Sequence, residues 1–226
     1  TIINKCSIEE FLVVTEMKTE EEQVEALKNW WKENGKSLIL TIAVSIGGVL
    51  SWNAYQDYQV QQSEVASAYF QRLLNSAPAG ELSEKDAASI RHNSDLLKTE
   101  FSSSTYAQLA ALMVARVEVQ AGNLAAAGAE LEWVVEQQGD VEIVALANVR
   151  LAKVLAAQGQ HEQALALLVD GDDAWSVARL ETKGDILVTQ GELDAARAAY
   201  TQASVLAKAS GANNPLLGLK LDNLAQ

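Results

Sequence analysis

His161 and Glu162 open as the helix of a zinc protease does, an imidazole followed by a carboxylate able to act as general base. That chemistry needs a second imidazole one turn on, so that both rings reach the metal from one face, and Leu165 stands there instead. The pair also falls where a helix starts. His92 follows Arg91 on a polar helix face, and both histidines read as solvated surface residues. Asp170, Asp172 and Asp173 gather oxygens suited to a hard cation, but without the spaced ligands of a calcium loop they read as a helix-terminating loop before Ala174 and Trp175. Trp133 and Trp175 could stack on a ligand; inside Ala- and Leu-rich segments they read as core. Cys6 is the sole cysteine and reads as inert. Ser102, Ser103, Ser104 and Thr105 read as a turn and N-cap, not a phosphorylation site. With no G-x-S-x-G, G-x-G-x-x-G, P-loop or paired cysteines, the prediction is no catalytic residue, metal or cofactor, and no enzyme.

Chemistry is then left to surfaces, and a surface needs elements to position it. Three segments share one plan: VARVEVQAGNLAAAGAELEWV (114–134), LAKVLAAQGQHEQALALLVDG (151–171) and KGDILVTQGELDAARAAYTQA (183–203). Each carries a small residue (Ala115, Ala152, Gly184), then Gly seven later (Gly122, Gly159, Gly191), Ala five beyond that (Ala127, Ala164, Ala196) and a large residue four further on (Leu131, Leu168, Tyr200). The Gly-to-Gly spacings of 37 and 32 bracket the period of about 34 residues expected of tetratricopeptide repeats. Small residues let two helices of a hairpin cross closely, glycine turns the chain between them, and the large residue fills the gap toward the next repeat. An irregular helical bundle would explain the apolar periodicity but not this recurring register. Repeats are placed near 106–138, 142–171 and 175–206, and Asn214-Pro215 opens a terminal cap over 214–225. In such a stack the first helix of each hairpin lines a groove that receives peptides or a partner helix. Counting back from each turn glycine gives Leu112, Arg116 and Val119, then Val149 and Lys153, then Glu181 and Asp185 as groove candidates. An ordinary solvated face is the alternative.

Upstream, Ser37 to Gln56 (SLILTIAVSIGGVLSWNAYQ) holds twenty residues without a charged side chain or histidine. A helix of that length covers roughly 30 Å, the hydrocarbon thickness of a bilayer. A secretory signal peptide is the rival reading, but the segment starts well inside the chain and ends at Trp52-Asn53-Ala54-Tyr55 with no clear small-x-small cleavage site. A retained transmembrane helix over 37–56 is therefore expected. Lys28, Lys32 and Lys36 precede it while only Arg72 follows at the limit of the flanking window, which keeps the N-terminus cytoplasmic. Trp30, Trp31, Trp52, Tyr55 and Tyr58 suit the two interfaces. Ala43, Gly47 and Ser51, four residues apart, offer a face where another membrane helix could approach.

Around the anchor, residues 1–16 precede Met17, which resembles a translation start, and are expected to be a poorly ordered extension. Thr19 is an N-cap candidate for an amphipathic cytoplasmic segment over 17–36, with Asn34-Gly35 as its stop. Past the anchor, a helix continues from Gln56 to Asn75 and ends at Ala77-Pro78-Ala79-Gly80; Ser83 with Asp86 then starts another by a capping box, running to about Phe101. Ala and Leu dominate, Pro occurs twice and alternating β-branched runs are absent, so the fold class is all-α, with residues 57–226 as one tetratricopeptide-like helical domain. Net charge is −13, and residues 57–226 hold 12 basic against 22 acidic residues. That balance excludes a nucleic-acid footprint and disfavours lying flat on anionic lipid.

QVEALKNWWKENGK (23–36), the Gly-Gly anchor, WNAYQDYQVQQSEVASAYFQ (52–71) and the Ala-rich repeats together resemble the YfgM-type family, ancillary subunits of the bacterial SecYEG translocon. The resemblance runs from Met17 to the C-terminus. It implies a single-pass inner-membrane protein with a periplasmic repeat domain beside the translocon, working with a membrane-anchored chaperone of the prolyl-isomerase type on exported polypeptides. It brings no active-site residue. The competing expectations are a scaffold for another cell-envelope assembly and a regulator acting through the cytoplasmic segment.

Overall fold

A computed structural model describes residues 20–77, 82–169, 171, 173–212 and 214–224. Their regular structure is all helical: α1 (Glu20–Asn75), α2 (Glu84–Glu100), α3 (Thr105–Gln120), α4 (Leu124–Glu136), α5 (Val141–Ala157), α6 (His161–Leu167), α7 (Ser176–Thr189), α8 (Leu193–Ala209) and α9 (Pro215–Asn223). The chain divides into two compact units, Thr1–Gln59 and Val60–Gln226. The extension at 1–16, the Thr19 cap and the Pro78–Gly80 breaker lie outside the described residues.

In the first unit α1 is long and apolar enough to cross a membrane. Its most apolar 18-residue window has a mean hydropathy of 1.6 and none of it is buried. Leu40, for instance, is 65% exposed, a surface that water penalises and lipid accepts. Two hydroxyls in the apolar stretch bond within the helix: Thr41 donates to the Ser37 carbonyl and Ser45 to that of Thr41. The expected stop at Asn34-Gly35 is not one. The Asn34 side chain donates back to the Trp30 carbonyl, and Gly35 keeps a helical backbone beneath the Trp31 ring. Glycine inside a helix costs only about 1 kcal/mol, too little to interrupt a ladder that continues on both sides. The amphipathic segment, the apolar span and the segment after it are consequently one helix.

In the second unit the last turns of α1 bury Ala66 and Leu73 against Ile90 and Leu97 of α2 and Ala107, Ala110 and Val114 of α3. Tyr69 tilts against Phe101 and Phe70 against Tyr106 at ring separations of 6.1 and 5.5 Å. Ser83 and Asp86 form the expected capping box of α2, Phe101 ends that helix, and Ser104 caps α3 by accepting from the Tyr106 amide.

Three hairpins follow: α3 with α4, α5 with α6, α7 with α8. Gly122, Gly159 and Gly191 turn them at φ +80, +79 and +79°, a region that side chains with a Cβ disfavour. The amide after each glycine reaches back five residues, Asn123 to Glu118, Gln160 to Leu155 and Glu192 to Leu187, closing the same helix-ending motif three times. The small-residue positions sit where the helices cross. Ala115, Ala127, Ala152, Ala164 and Ala196 are buried, and at Gly184 an added Cβ would stand 2.3 Å from the Tyr200 ring. One apolar core runs through the first two hairpins, and Leu180, Tyr200 and Ala203 build another beneath α9. There Leu217 is only 1% exposed, Pro215 sits in the first turn and Asn214 caps the helix from its side chain.

Candidate functional site

The helices α3, α4 and α5 enclose an open pocket of about 370 Å³. Its apolar floor comes from Leu124 and Leu131 of α4 with Val154 and Ala157 of α5, and its rim carries Arg116, Val119 and Gln120 of α3 with Arg150 and Lys153 of α5. No carboxylate lines it, and the three cations make no ion pair with a described residue. Arg150 is exposed, yet partial desolvation by its surroundings, together with the like charge of Arg116, holds it below the usual guanidinium range. Arg150 still carries its charge at neutral pH. The arrangement offers no nucleophile and no general base; it can hold an anion against an apolar surface.

Of the groove candidates, Arg116, Val119 and Lys153 meet in this pocket. Leu112 and Val149 do not: at 4% and 3% exposure both belong to the core of the first two hairpins. Four residues turn a helix by about 400°, so positions four apart drift by roughly 40°. In the first two hairpins the residue ten before the turn glycine therefore rolls into the helix seam, while the one six before it stays at the rim. Glu181 and Asp185 are half-buried and already engaged. Lys220 of α9 donates to Glu181 at 2.7 Å and to Asp185 at 2.6 Å, and the Tyr200 hydroxyl donates to Asp185 at 2.7 Å. Burial, together with the hydrogen bond to Asp185, pushes the Tyr200 phenol well above its usual range. Arg150 was missed by counting from the turn, although it lies one helical turn from Lys153, which is the signal that finds it.

The other polar candidates have structural roles. Asp173 accepts from Arg179 at 2.9 Å and from the Trp175 amide at 2.8 Å. The Arg179 contact leads in holding its carboxyl below the usual carboxylate range. Asp170 and Asp172 lie outside the described residues, among which no group of His, Cys, Asp and Glu is arranged to hold a metal. His92 is exposed, but His161 is half-buried rather than solvated, its Nδ1 closed off at the start of α6 without a hydrogen-bond partner. Trp133 packs against the cores on both sides of it, with Lys98 5.9 Å from its ring, and Trp175 packs against the core of the first two hairpins. In the first unit Ala43, Gly47 and Ser51 are exposed, with nothing within 4 Å of a Cβ at Gly47.

A family model described as a tetratricopeptide repeat-like domain matches residues 28–226. The chain belongs to that family. Curated relatives of this tetratricopeptide repeat-like chain include proteins named ancillary SecYEG translocon subunit from Haemophilus influenzae at 30% identity, Escherichia coli at 28% and Neisseria gonorrhoeae at 31%. Each alignment covers 91% of this chain and 97% of the relative. The resemblance noted in the sequence is thus to proteins that carry this name. No solved structure matches the chain significantly.

Proposed function

We propose that this tetratricopeptide repeat-like chain is a non-catalytic adaptor, anchored in a bacterial inner membrane beside the Sec translocon and presenting its repeat domain to polypeptides leaving the channel. The observation that carries this reading is the shared name of relatives aligned over 91% of the chain and 97% of their own length. Residues 37–56 are the anchor, 17–36 the cytoplasmic segment and 57–226 the periplasmic domain. Lys28, Lys32 and Lys36, one helical turn apart on α1, support that orientation by the positive-inside rule. Tethering beside the channel gives emerging chains a high effective concentration, so a modest intrinsic affinity suffices. A membrane-anchored chaperone of the prolyl-isomerase type is the second partner this reading includes.

Photo-crosslinkers installed at Val119 and Gln120 in intact inner membranes test it. The expected product joins the chain to a translocon subunit or to an exported polypeptide in transit. Recovery of neither, or of another envelope assembly instead, overturns the proposal.

A further inference from the structure

The stack builds one kind of junction twice, with opposite charge. Asp185 stands six residues before the turn glycine Gly191, and the next helix along, α9, brings Lys220 to within 2.6 Å of it. Arg116 has the same register before Gly122, and the next first helix, α5, brings Arg150. An ammonium between carboxylates closes its junction. Two guanidiniums cannot pair, and above the shared core of α3 and α5 the rim of their junction carries the pocket of about 370 Å³. Lys153 adds a third cation at its rim, in a chain whose net charge is −13.

We propose that this pocket binds a polypeptide segment bearing a carboxylate beside aliphatic side chains, the carboxylate lying between Arg116 and Arg150 and the aliphatic group against Val119, Leu124 and Ala157, the accessible part of the apolar lining. The inference rests on the adaptor reading and gives it a ligand chemistry. Guanidinium groups match carboxylate oxygens in paired hydrogen bonds, and the apolar floor strengthens them by excluding water. An inorganic anion would leave that floor uncovered. An anionic membrane surface would meet a domain with 12 basic and 22 acidic residues over 57–226, which it repels. A peptide presents one carboxylate and one aliphatic side chain locally and escapes that penalty.

Full-length chain in nanodiscs of zwitterionic lipid is titrated into a fluorescein-labelled peptide of alternating glutamate and leucine, and into a twin with glutamine for each glutamate, with anisotropy as readout. The glutamate peptide should bind and the glutamine twin should bind at least about tenfold more weakly, the scale of one charge-assisted contact. Arg116→Gln with Arg150→Gln should weaken the glutamate peptide by a similar factor, as should the single exposed change Lys153→Glu, while Lys208→Gln, on α8, leaves it unchanged. Unchanged thermal melting shows that the variants remain folded. Equal binding of the two peptides, no binding of either, or parental affinity in both pocket variants overturns the proposal. So does binding of phosphatidylglycerol vesicles that depends on these residues while the peptide does not bind. Crosslinking to the translocon separates the two readings: lost in the parent chain with peptide binding intact, it removes the adaptor assignment and leaves the pocket standing.

Discussion

Glu118 shows how the repeat domain carries buried charge. It is nearly covered, yet Arg91 donates to one carboxylate oxygen at 2.6 Å and Asn123 to the other at 2.9 Å. Burial alone would raise its carboxyl, but those two hydrogen bonds outweigh it and hold it below the usual carboxylate value. A carboxyl lowered in the folded state adds stability that is complete above its unfolded value and is lost as pH falls through the folded one. Thermal melting of the parent chain should therefore drop as the solution is acidified below the ordinary carboxylate range, and Glu118→Gln should flatten part of that drop; an unaltered acid profile in the variant would contradict this role. Arg91→Ala removes one partner and leaves the carboxylate covered, so it should cost about 1–3 kcal/mol in denaturant unfolding at neutral pH. Gly184 poses the opposite problem. An added Cβ meets a ring carbon of Tyr200 at 2.3 Å, in a side chain held by its hydroxyl on Asp185, so Gly184→Ala should destabilise by about 1–3 kcal/mol through overpacking, measured the same way.

The elements explain what was legible in the chain and what was not. The hairpins could be read because each turn glycine is needed for its backbone: φ near +80° at Gly122, Gly159 and Gly191 leaves a local mark that repeats. Gly159→Ala should accordingly cost about 1 kcal/mol although nothing lies within 4 Å of its Cβ position, a loss that is conformational and visible as a lower denaturant midpoint with unchanged slope. No loss, or a gain as at an ordinary exposed helix glycine, would show the turn to be adaptable. The Asn34-Gly35 stop failed because a stop signal is only a modest local preference, overruled when the helix is favoured on both sides. The pocket was half legible. Arg116 and Val119 on α3 and Lys153 on α5 follow from counting back from each turn, but the burial of Leu112 and Val149 depends on which neighbour each face meets, and Glu181 and Asp185 are claimed by α9 from more than thirty residues away. Sequence periodicity records which face is apolar. It does not record which helix covers it.

For the molecule as a whole, α1 decides where everything else can act. Its span exposes Leu40, Val44 and Val49 all round and bonds the Thr41 and Ser45 hydroxyls to its own backbone, as suits a single helix in a bilayer. If that span is retained in the membrane, alkaline carbonate should leave the chain in the pellet. Placing arginine at both Leu40 and Val44 should move it to the supernatant, since each central arginine costs about 2.5–3.5 kcal/mol on the insertion scale. Orientation is a separate question with its own lever. Lys28, Lys32 and Lys36 lie within one flanking window of the apolar stretch, whereas Arg72 is the first cation after it, and insertion follows the lysine and arginine bias rather than net charge. Protease added to spheroplasts should digest residues beyond about 57 in the parent chain, in keeping with the flanking window of that rule. Exchanging the three lysines for glutamine, with lysines added after Asp57, should protect the repeat domain instead. A repeat domain still digested in the exchanged chain would mean that something other than the flanking lysines sets the topology, and a domain protected in the parent would place the pocket of Arg116, Arg150 and Lys153 on the side of the membrane where no exported segment emerges.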